Sequence, residues 1–494
     1  MAEASREASG AAPPPLHVVV FPWLAFGHFT PFLELSEQLA RRGHAVTFVS
    51  TPRNVARLRP VSPRIRLLPL LLPCVDGLPD GAESTADVPP ETVDLLKVAF
   101  DGLAAPFAGF LDEACAGGDG ATEFGKKPDW VFVDFAHYWL PPIAEQHKVP
   151  CALFHISPAP FVAFIGTKTA NDAHPRTTAE DLMAQPRWIP FPTTIAHRFH
   201  EAKDMLVQTF RANASGPSDA CRLWQTEQRC PLVILRGSRE VDGPLGPFLA
   251  DLFGKPVALC GLLAPNDAAL AAQEGAAHVD NESESESVSL MRWLDEQPAR
   301  SVIYVAFGSE APLSRRHVRE LALGLELAGA RFLWALRGPS AALLPDGFEE
   351  RVGGRGVVRA GWVPQVRVLA RRAVGAFLTH AGLSSLTESF LIGHPLVMLP
   401  LFLDQGVRAR GMVARGVGLE VPRDEGDGSF GRDDVAATVR RVMAEGEEGK
   451  AFARNAGELQ AVLWTERSRT STSTICACDA ASARLDGWPA SRGQ

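Results

Sequence analysis

The feature that most constrains the fold of this chain is a repeated alternation of short apolar runs with amphipathic helical stretches. In the first half of the sequence the apolar runs are LHVVVFPW, AVTFVST, DWVFVDF, CALFHIS and LVILRGS. In the second half they are SVIYVAFGS, RFLWALR, GVVRAGW, GAFLTH and PLVMLP. Strands that alternate with helices favour a parallel sheet covered on both faces. The sequence therefore predicts an α/β protein with two Rossmann-like domains whose parallel sheets face a cleft.

The length of the chain supports the same division, because 494 residues exceed one ordinary core and favour two domains of about 200 residues or more. Residues 16–255 are predicted to form the N-terminal domain and residues 256–464 the C-terminal domain. Residues 1–15 are predicted to be a disordered tail. An acidic, Ser-rich stretch at about 266–290 predicts a solvated loop. Residues 465–494 show no apolar stripe at helical spacing and are predicted to be disordered.

Composition and charge exclude several classes of function. The net charge of −8 argues against a nucleic-acid partner. The N-terminal MAEASREASGAAPPP lacks the apolar core of a secretory signal, and no apolar run approaches the roughly 20 residues that span a bilayer. The eight cysteines show neither a C-x-x-C pair nor zinc spacing, which favours reduced thiols. We therefore expect a cytoplasmic monomer without a transmembrane segment or a metal.

A candidate phosphate site follows the apolar run GAFLTH, which ends at His380. The next residues are predicted to begin a helix that includes Glu388, with Ser384, Ser385 and Thr387 as candidate caps. A helix N-terminus carries unpaired N–H groups and about half a positive charge, so it suits a phosphate. Each residue also has an ordinary interpretation, since Ser385 can be a cap only and Glu388 a solvated helix residue.

Two further strand ends in the second half carry side chains that suit a nucleotide. Gly308 and Ser309 form a loop able to approach a phosphate closely. Trp362 offers a flat face for a base, although it also suits a core position, and Gln365 can donate to and accept from hydroxyl groups. Ligands of open α/β sheets bind beyond the carboxyl ends of strands, so these residues together favour a nucleotide. The absence of a G-x-x-x-x-G-K-[ST] motif excludes a P-loop, and the absence of G-x-G-x-x-G before an acidic ribose ligand argues against NAD.

Residues 362–405, WVPQVRVLARRAVGAFLTHAGLSSLTESFLIGHPLVMLPLFLDQ, resemble the signature box of plant family 1 UDP-sugar-dependent glycosyltransferases. The opening Trp-Val-Pro-Gln, the His-x-Gly, the Glu, the Gly-His-Pro and the closing Asp-Gln stand at the family's spacing. The resemblance extends from about residue 16 to about residue 465. It implies the GT-B fold, in which the N-terminal half binds a small-molecule acceptor and the C-terminal half binds a UDP-sugar. It also implies that the UDP-sugar is a co-substrate and that no cofactor or metal is required.

The resemblance assigns roles within this box. Trp362 would stack on uracil, Gln365 would bond the ribose, and Glu388 would accept from the ribose hydroxyls. Asp404 and Gln405 would bond the hydroxyls of the sugar. The donor-binding residues implied in this way are Ser309, Trp362, Val363, Gln365, His380, Gly382, Leu383, Ser384, Ser385, Glu388, Asp404 and Gln405.

The diphosphate would be held by Ser309, His380 and Ser385, and the chain departs from the family next to them. The family usually has Cys-Gly-Trp-Asn-Ser where this chain has AGLSS. Leu383 removes an indole beside the sugar, and Ser384 keeps a hydroxyl but is shorter than Asn. The backbone N–H groups and the helix dipole survive, so we expect donor binding to persist. Donor choice lies between UDP-glucose and UDP-rhamnose, and the closing Gln of the box favours glucose.

A candidate base lies in the first half. His28 follows the first apolar run, just before a helix predicted to begin near Thr30-Pro31. A lone histidine there is usually structural, but the resemblance assigns this position to the general base. An acceptor hydroxyl has a pKa far above 7, and a neutral imidazole can remove its proton during attack. Asp134 ends the run DWVFVDF at the position of the family's supporting aspartate, although a cap of the next turn is the alternative.

Two functional hypotheses follow. The first is an inverting, metal-independent UDP-glycosyltransferase of the plant subgroup that extends the sugar of flavonoid or terpenoid glycosides, which the segments near residues 22–54 and 76–89 resemble most. The second is an impaired or non-catalytic relative that binds a nucleotide or small molecule without turnover. Leu383 and the atypical C-terminal tail support the second hypothesis. The presence of His28, Asp134, Glu388 and Gln405 argues against it.

Overall fold

The computed structural model describes residues 14–117, 124–264, 281–308, 311, 313–336, 342–361 and 363–467. The strands of the first sheet are β1 (His17–Phe21), β2 (Ala45–Ser50), β3 (Ile65–Pro69), β4 (Trp130–Val133), β5 (Cys151–His155), β6 (Leu232–Leu235) and β7 (Val257–Leu259). The strands of the second sheet are β8 (Val302–Ala306), β9 (Arg331–Leu336), β10 (Gly356–Ala360), β11 (Val374–Thr379), β12 (Leu396–Met398) and β13 (Gly418–Glu420).

The helices of the first half are Phe26–Arg41, Pro52–Ala56, Val93–Asp101, Ala104–Ala116, Leu140–Gln146, Ala159–Ile165, Lys168–Ala173, Ala179–Leu182, Phe199–Met205, Asp219–Arg229, Arg239–Asp242 and Leu245–Phe253. Short 3₁₀ turns cover Thr85–Asp87 and Pro90–Thr92, and a π-helical turn covers Leu206–Phe210. The helices of the second half are Asn281–Asp295, Arg315–Ala328, Phe348–Arg351, Gln365–Leu369, Leu383–Ile392, Gln405–Ala414, Arg432–Met443 and Glu447–Arg467.

Both sheets are parallel and doubly wound, which confirms the two predicted Rossmann-like units. The strand order is β3-β2-β1-β4-β5-β6-β7 in the first sheet and β10-β9-β8-β11-β12-β13 in the second. The order reverses between β1 and β4 in one sheet and between β8 and β11 in the other. Crevices for ligands open at such reversal points, outside the carboxyl ends of the strands. The topology therefore marks one candidate site in each half.

The core explains why the central strands could be predicted. Side chains of a strand alternate between the two faces of its sheet, and in β1 both faces are covered. Val20 packs with Phe32 in one apolar layer, whereas Val19 packs with Phe100 in the other. All four side chains are buried. A strand that is buried on both faces appears in the sequence as a continuous apolar run.

Three strands are not apparent in the sequence, namely β3, β7 and β13. Each lies at the edge of its sheet, and β7 and β13 have only three residues. An edge strand pairs on one side only and needs no long apolar run. Because β7 extends the first sheet to residue 259, that sheet continues past the predicted domain boundary at residue 255.

The loop predicted at 266–290 is wrong for residues 281–290, which belong to the helix Asn281–Asp295. Leu290, Met291 and Leu294 of this helix pack into the core of the second half. Burial of this apolar stripe stabilises the helix despite the Ser- and Glu-rich sequence before it, because tertiary packing supplies most of a helix's stability.

The C-terminal helix Glu447–Arg467 continues slightly past residue 465, where the tail was predicted to begin. Residues 14 and 15 of the predicted N-terminal tail belong to no helix or strand, and the rest of the predicted tails and of the acidic loop lies in residues 1–13, 266–280 and 468–494, outside the described residues. The predictions for those segments stay predictions. Of the helices in the described ranges, none combines the length and the apolar character needed to cross a membrane.

The two halves meet through ion pairs. Glu201 in the first half accepts from the Arg410 guanidinium in the second, with N–O distances of 3.0 and 2.8 Å. Arg198 pairs with Glu420 across the same boundary at 2.9 Å. Gly406 lies against this contact, because a Cβ atom there would lie 2.1 Å from the Glu201 Oε1 atom. The contact therefore depends on charged side chains that fit closely against the backbone.

Candidate active site

The reversal point of the first sheet brings His28 and Asp134 together. Phe21 of β1 is paired with Val133 of β4, so the residues after these strands emerge side by side. The His28 Nδ1 atom lies 2.6 Å from the Asp134 Oδ2 atom. These residues are 106 positions apart in the sequence, and the parallel sheet is what places them in contact.

His28 lies in the first turn of the helix Phe26–Arg41, so the prediction of a helix beginning near Thr30-Pro31 is wrong. The backbone N–H groups of His28 and Phe29 both donate to the carbonyl of Ala25, at 2.9 Å each. The helix continues through the proline with the loss of one backbone hydrogen bond. Placement on a helical turn gives the imidazole a more rigid support than a loop would.

The Asp134 carboxylate is buried and held by three hydrogen bonds. Besides His28, the backbone N–H of Trp23 donates to Oδ2 at 3.0 Å, and that of Phe135 donates to Oδ1 at 2.7 Å. Burial by itself raises the pKa of Asp134, but the charge and hydrogen bond of His28 and the Trp23 amide outweigh it and lower the pKa. An ionised carboxylate at this place fixes the imidazole with its proton on Nδ1.

A second histidine near Asp134 is unsuited to proton transfer. The His137 ring is fully buried and lies between the rings of Phe21 and Phe100, with centroid distances of 4.7 and 4.8 Å. Burial lowers the pKa of His137 to about 4. The His28 side chain, by contrast, is 21% exposed, so it alone of the two can meet a substrate from the cleft.

The reversal point of the second sheet holds His380 against two glycines. A Cβ atom on Gly308 would lie 3.0 Å from the His380 Cε1 atom, and one on Gly382 would lie 2.3 Å from the His380 Nε2 atom. Gly308 also has a φ of +75°, which favours glycine. The two strand-end loops therefore pack closely around the imidazole, as expected for a site that brings backbone near a ligand. Ser309 lies outside the described residues.

The helix Leu383–Ile392 starts directly after Gly382, its N-cap residue. The prediction that Ser384, Ser385 and Thr387 cap this helix is wrong, because they lie inside it. The Thr387 hydroxyl instead donates to a carbonyl one turn earlier, at 2.8 Å. Within the described residues, Gly382 makes no side-chain capping bond, and the N–H groups of the first turn point past the end of β11.

His380 contributes a hydrogen-bond donor to this turn but no charge. Burial, together with the nearby charge of Arg408, lowers the pKa of His380 to about 3. The imidazole is therefore neutral at neutral pH. Formal positive charge at the turn has to come from other groups.

A polar pair lies beside the same helix. The Gln365 Nε2 atom donates to the Glu388 Oε2 atom at 2.6 Å and lies 3.4 Å from the Ser385 Oγ atom. The structure thus brings together three of the residues predicted to face a donor. Val363 is buried in the apolar core and can offer only its backbone. Trp362 lies outside the described residues.

Asp404 and Gln405 make contacts within their own loop and helix. The Asp404 Oδ1 atom lies 2.5 Å from an Arg408 Nη2 atom. The Gln405 Oε1 atom accepts from the Leu401 N–H at 2.9 Å, and Gln405 is buried. These bonds fix the loop after β12 at the same edge of the sheet as His380.

Two arginines near the first turn of the helix Leu383–Ile392 were not identified from the sequence, namely Arg236 and Arg408. Arg236 directly follows β6 (Leu232–Leu235), so the rule of strand ends could have found it. Its guanidinium donates to the Ser384 hydroxyl at 3.1 Å.

In the part of the chain that the structure describes, no group of three or more His, Cys, Asp or Glu side chains is arranged to hold a metal ion.

Comparison with known proteins gives consistent matches. The sequence profile of the family described as UDP-glucoronosyl and UDP-glucosyl transferase matches residues 274–460. The chain is 40% identical over 458 residues to UDP-glycosyltransferase 91D1 of Stevia rebaudiana, which covers 90% of this chain and 88% of that relative. It is 34% identical over 457 residues to anthocyanidin-3-O-glucoside rhamnosyltransferase of Petunia hybrida, which covers 89% of this chain and 90% of that relative.

A solved structure shows the same architecture. It is the complex between 3,4-dichloroaniline and a UDP-glucosyltransferase from Polygonum tinctorium capable of glucosylating indoxyl. This structure matches with a TM-score of 0.71 at 26% identity, over 96% of this chain and 100% of that chain.

Proposed function

The chain belongs to the plant UDP-glycosyltransferase family and shares its GT-B architecture, and on this premise we propose an inverting, metal-independent transfer of a sugar from a UDP-sugar to a hydroxyl group. The acceptor that we propose is a small plant metabolite that already carries a sugar, a flavonoid or terpenoid glycoside. UDP-glucose is the favoured donor and UDP-rhamnose the alternative. The UDP-sugar is a co-substrate, and we propose that the enzyme works as a cytoplasmic monomer.

The contact of 2.6 Å between His28 Nδ1 and Asp134 Oδ2 carries this proposal. With its proton on Nδ1, the neutral imidazole has its lone pair on Nε2. The acceptor oxygen attacks the anomeric carbon while Nε2 takes its proton. The imidazolium that forms is stabilised by the Asp134 carboxylate, which is ionised before the reaction starts. A histidine and a carboxylate held in this way favour turnover over the alternative of binding alone.

The bond that breaks joins the anomeric carbon to the diphosphate oxygen of UDP. Negative charge grows on that oxygen as the bond lengthens. The helix N-terminus at Gly382 and the N–H of the neutral His380 support stabilisation of this charge, because fixed dipoles act strongly where water is excluded. Attack from the side of His28 and departure on the opposite side amount to one in-line displacement, which inverts the anomeric carbon.

The proposed acceptor class rests on the sequence resemblance and on relatives. The Petunia relative is named for a rhamnosyl transfer to anthocyanidin-3-O-glucoside, an acceptor that already bears a sugar. The Polygonum neighbour is named for glucosylation of indoxyl. Acceptor pockets of one fold differ in shape, so the fold supports a class of acceptor rather than one compound.

A matrix of donors and acceptors tests the function. UDP-glucose and UDP-rhamnose are each offered with flavonoid and terpenoid aglycones and with their monoglycosides, and the products are identified by mass spectrometry. We expect one added sugar on the monoglycosides and little product from the aglycones. Product from the aglycones alone would contradict the acceptor class, and no product from any pair would contradict the proposed activity.

Glu388 makes ribose binding dependent on pH. Burial raises the pKa of Glu388 to about 7, although the Gln365 hydrogen bond and the Arg236 charge oppose the rise. A ribose hydroxyl donates best to the ionised carboxylate, so binding favours that form. Because the ionised fraction grows with pH, we expect the affinity for uridine to rise about tenfold from about pH 6 to about pH 8. Calorimetric titration with uridine, which has no titrating phosphate, measures this.

The matched variant for this measurement is Glu388→Gln, which keeps the shape of the side chain but cannot ionise. Its affinity for uridine should be lower at high pH and nearly constant over the same range. A rise with pH that persists in Glu388→Gln would assign the titration to another group.

A further inference from the structure

Arg236 belongs to the first half of the chain, yet its side chain ends in the second half. It follows β6, and its Nε atom donates to the carbonyl of Leu262 at 2.8 Å. Its Nη1 atom donates to the Ser384 hydroxyl at 3.1 Å, across 148 positions of sequence. Arg236 is 3% exposed. A buried guanidinium thus lies beside the first turn of the helix Leu383–Ile392.

In the part of the chain that the structure describes, no carboxylate bonds directly to the Arg236 guanidinium. Within the described residues, its side-chain hydrogen bonds go to a neutral carbonyl and a neutral hydroxyl, and it forms no ion pair. Arg408, another buried arginine, is paired with Asp404 at 2.5 Å. Burial lowers the pKa of Arg236 to about 10, and the charge of Arg408 acts in the same direction, whereas Cys260, Glu388 and Glu34 oppose the fall. At neutral pH Arg236 therefore remains a buried cation, and such a group is costly unless an anion approaches it.

The neighbouring turn is short of formal charge. His380 is neutral, and the helix N-terminus supplies only about half an elementary charge. Ser384 stands where the family usually has the longer Asn, and the guanidinium reaches its hydroxyl from the other half. Arg236 consequently brings N–H donors and a full positive charge to the side chain of Ser384, which is shorter than Asn and has no amide N–H to donate.

We infer that Arg236 is a donor-binding residue, whose guanidinium supplies positive charge to the diphosphate of the UDP-sugar from across the boundary between the halves. This inference rests on the proposed function and adds to it a contact from the half that was expected to bind only the acceptor. It follows that the diphosphate site is complete only while the two halves are in contact.

Calorimetric binding of UDP and of uridine to the full chain tests the inference. Arg236→Gln removes the charge, and at about pH 8, where Glu388 is mostly ionised, we expect it to weaken UDP binding about tenfold to a hundredfold while uridine binding stays within about twofold. Arg236→Lys keeps the charge but loses the planar arrangement of donors, so it should show an intermediate loss. Thermal melting of each variant checks that it is folded.

The matched control is Arg198→Gln, which also removes an arginine that pairs across the two halves. It should leave the ratio of UDP to uridine affinity unchanged. An equal loss for UDP and uridine in Arg236→Gln, or a shift of the ratio in the control as large as in Arg236→Gln, would overturn the inference while the proposed function stands. If Arg236→Gln does not fold, an Arg236→Lys protein with the wild-type ratio would overturn it. Failure of the wild-type chain to bind UDP would overturn both.

Discussion

His28→Ala is expected to lower the rate of sugar transfer by a factor of about 10²–10⁴ and to leave UDP binding unchanged. His28 lies in the helix that follows β1, whereas the groups that we assign to the donor diphosphate follow β6, β8 and β11. Removal of the base therefore costs rate and not donor affinity. Steady-state kinetics with a saturating donor give the rate, and calorimetry gives the UDP affinity.

A control for the histidine variant is His147→Ala. The His147 Nε2 atom lies 3.1 Å from the Asp112 Oδ1 atom, and this pair is not part of the reversal point. The variant should keep the wild-type rate. Transfer by His28→Ala at a near-normal rate would show that another group, or solvent, takes the acceptor proton.

Asp134→Asn is expected to lower the rate by a similar factor of about 10²–10⁴ with little change in the KM of either substrate. The amide keeps the size of the carboxylate but has no charge to stabilise the imidazolium. It can also present an N–H to His28 and favour the wrong tautomer. The rate of transfer as a function of pH distinguishes this role from a structural one, since loss of the neighbouring charge should change the pH dependence, whereas a purely structural defect should lower the rate equally at every pH.

The comparison for this variant is Glu320→Gln, which breaks an ion pair with Arg432 at 2.6 Å in the second half. Loss of that carboxylate should change the thermal midpoint slightly and the rate not at all. A fall in the rate of Asp134→Asn that is fully explained by a lower folded fraction would refute its role in positioning His28.

Much of the fold could be predicted because its central strands are buried on both faces. Runs such as those of β1 and β8 are continuously apolar, and their order along the chain is that of alternating strands and helices. The edge strands β3, β7 and β13 escaped notice because pairing on one side demands no such run. The helix Asn281–Asp295 escaped notice because its stability depends on packing of residues near its end rather than on its composition.

The candidate site was predictable where it depends on strand ends and not where it depends on contact between the halves. His28 and Asp134 each follow an apolar run, so topology alone places them together. The start of a helix at Phe26 could not be predicted, because it depends on backbone hydrogen bonds to Ala25 and no capping motif in the sequence indicates them. The approach of Arg236 to Ser384 requires the relative placement of two separate sheets, which the sequence of neither half contains.

The ion pairs at the boundary have a consequence for chimeric enzymes made by exchanging halves between relatives. Arg410 needs the carboxylate of Glu201 from the other half, and Gly406 leaves no room for any side chain beneath that carboxylate. A first half from a relative that lacks the glutamate would leave Arg410 without its carboxylate partner. A second half with alanine in place of Gly406 would collide with the Glu201 side chain. An exchange of halves therefore requires Glu201, Gly406 and Arg410 to be exchanged together, because each of the three fits only the other two.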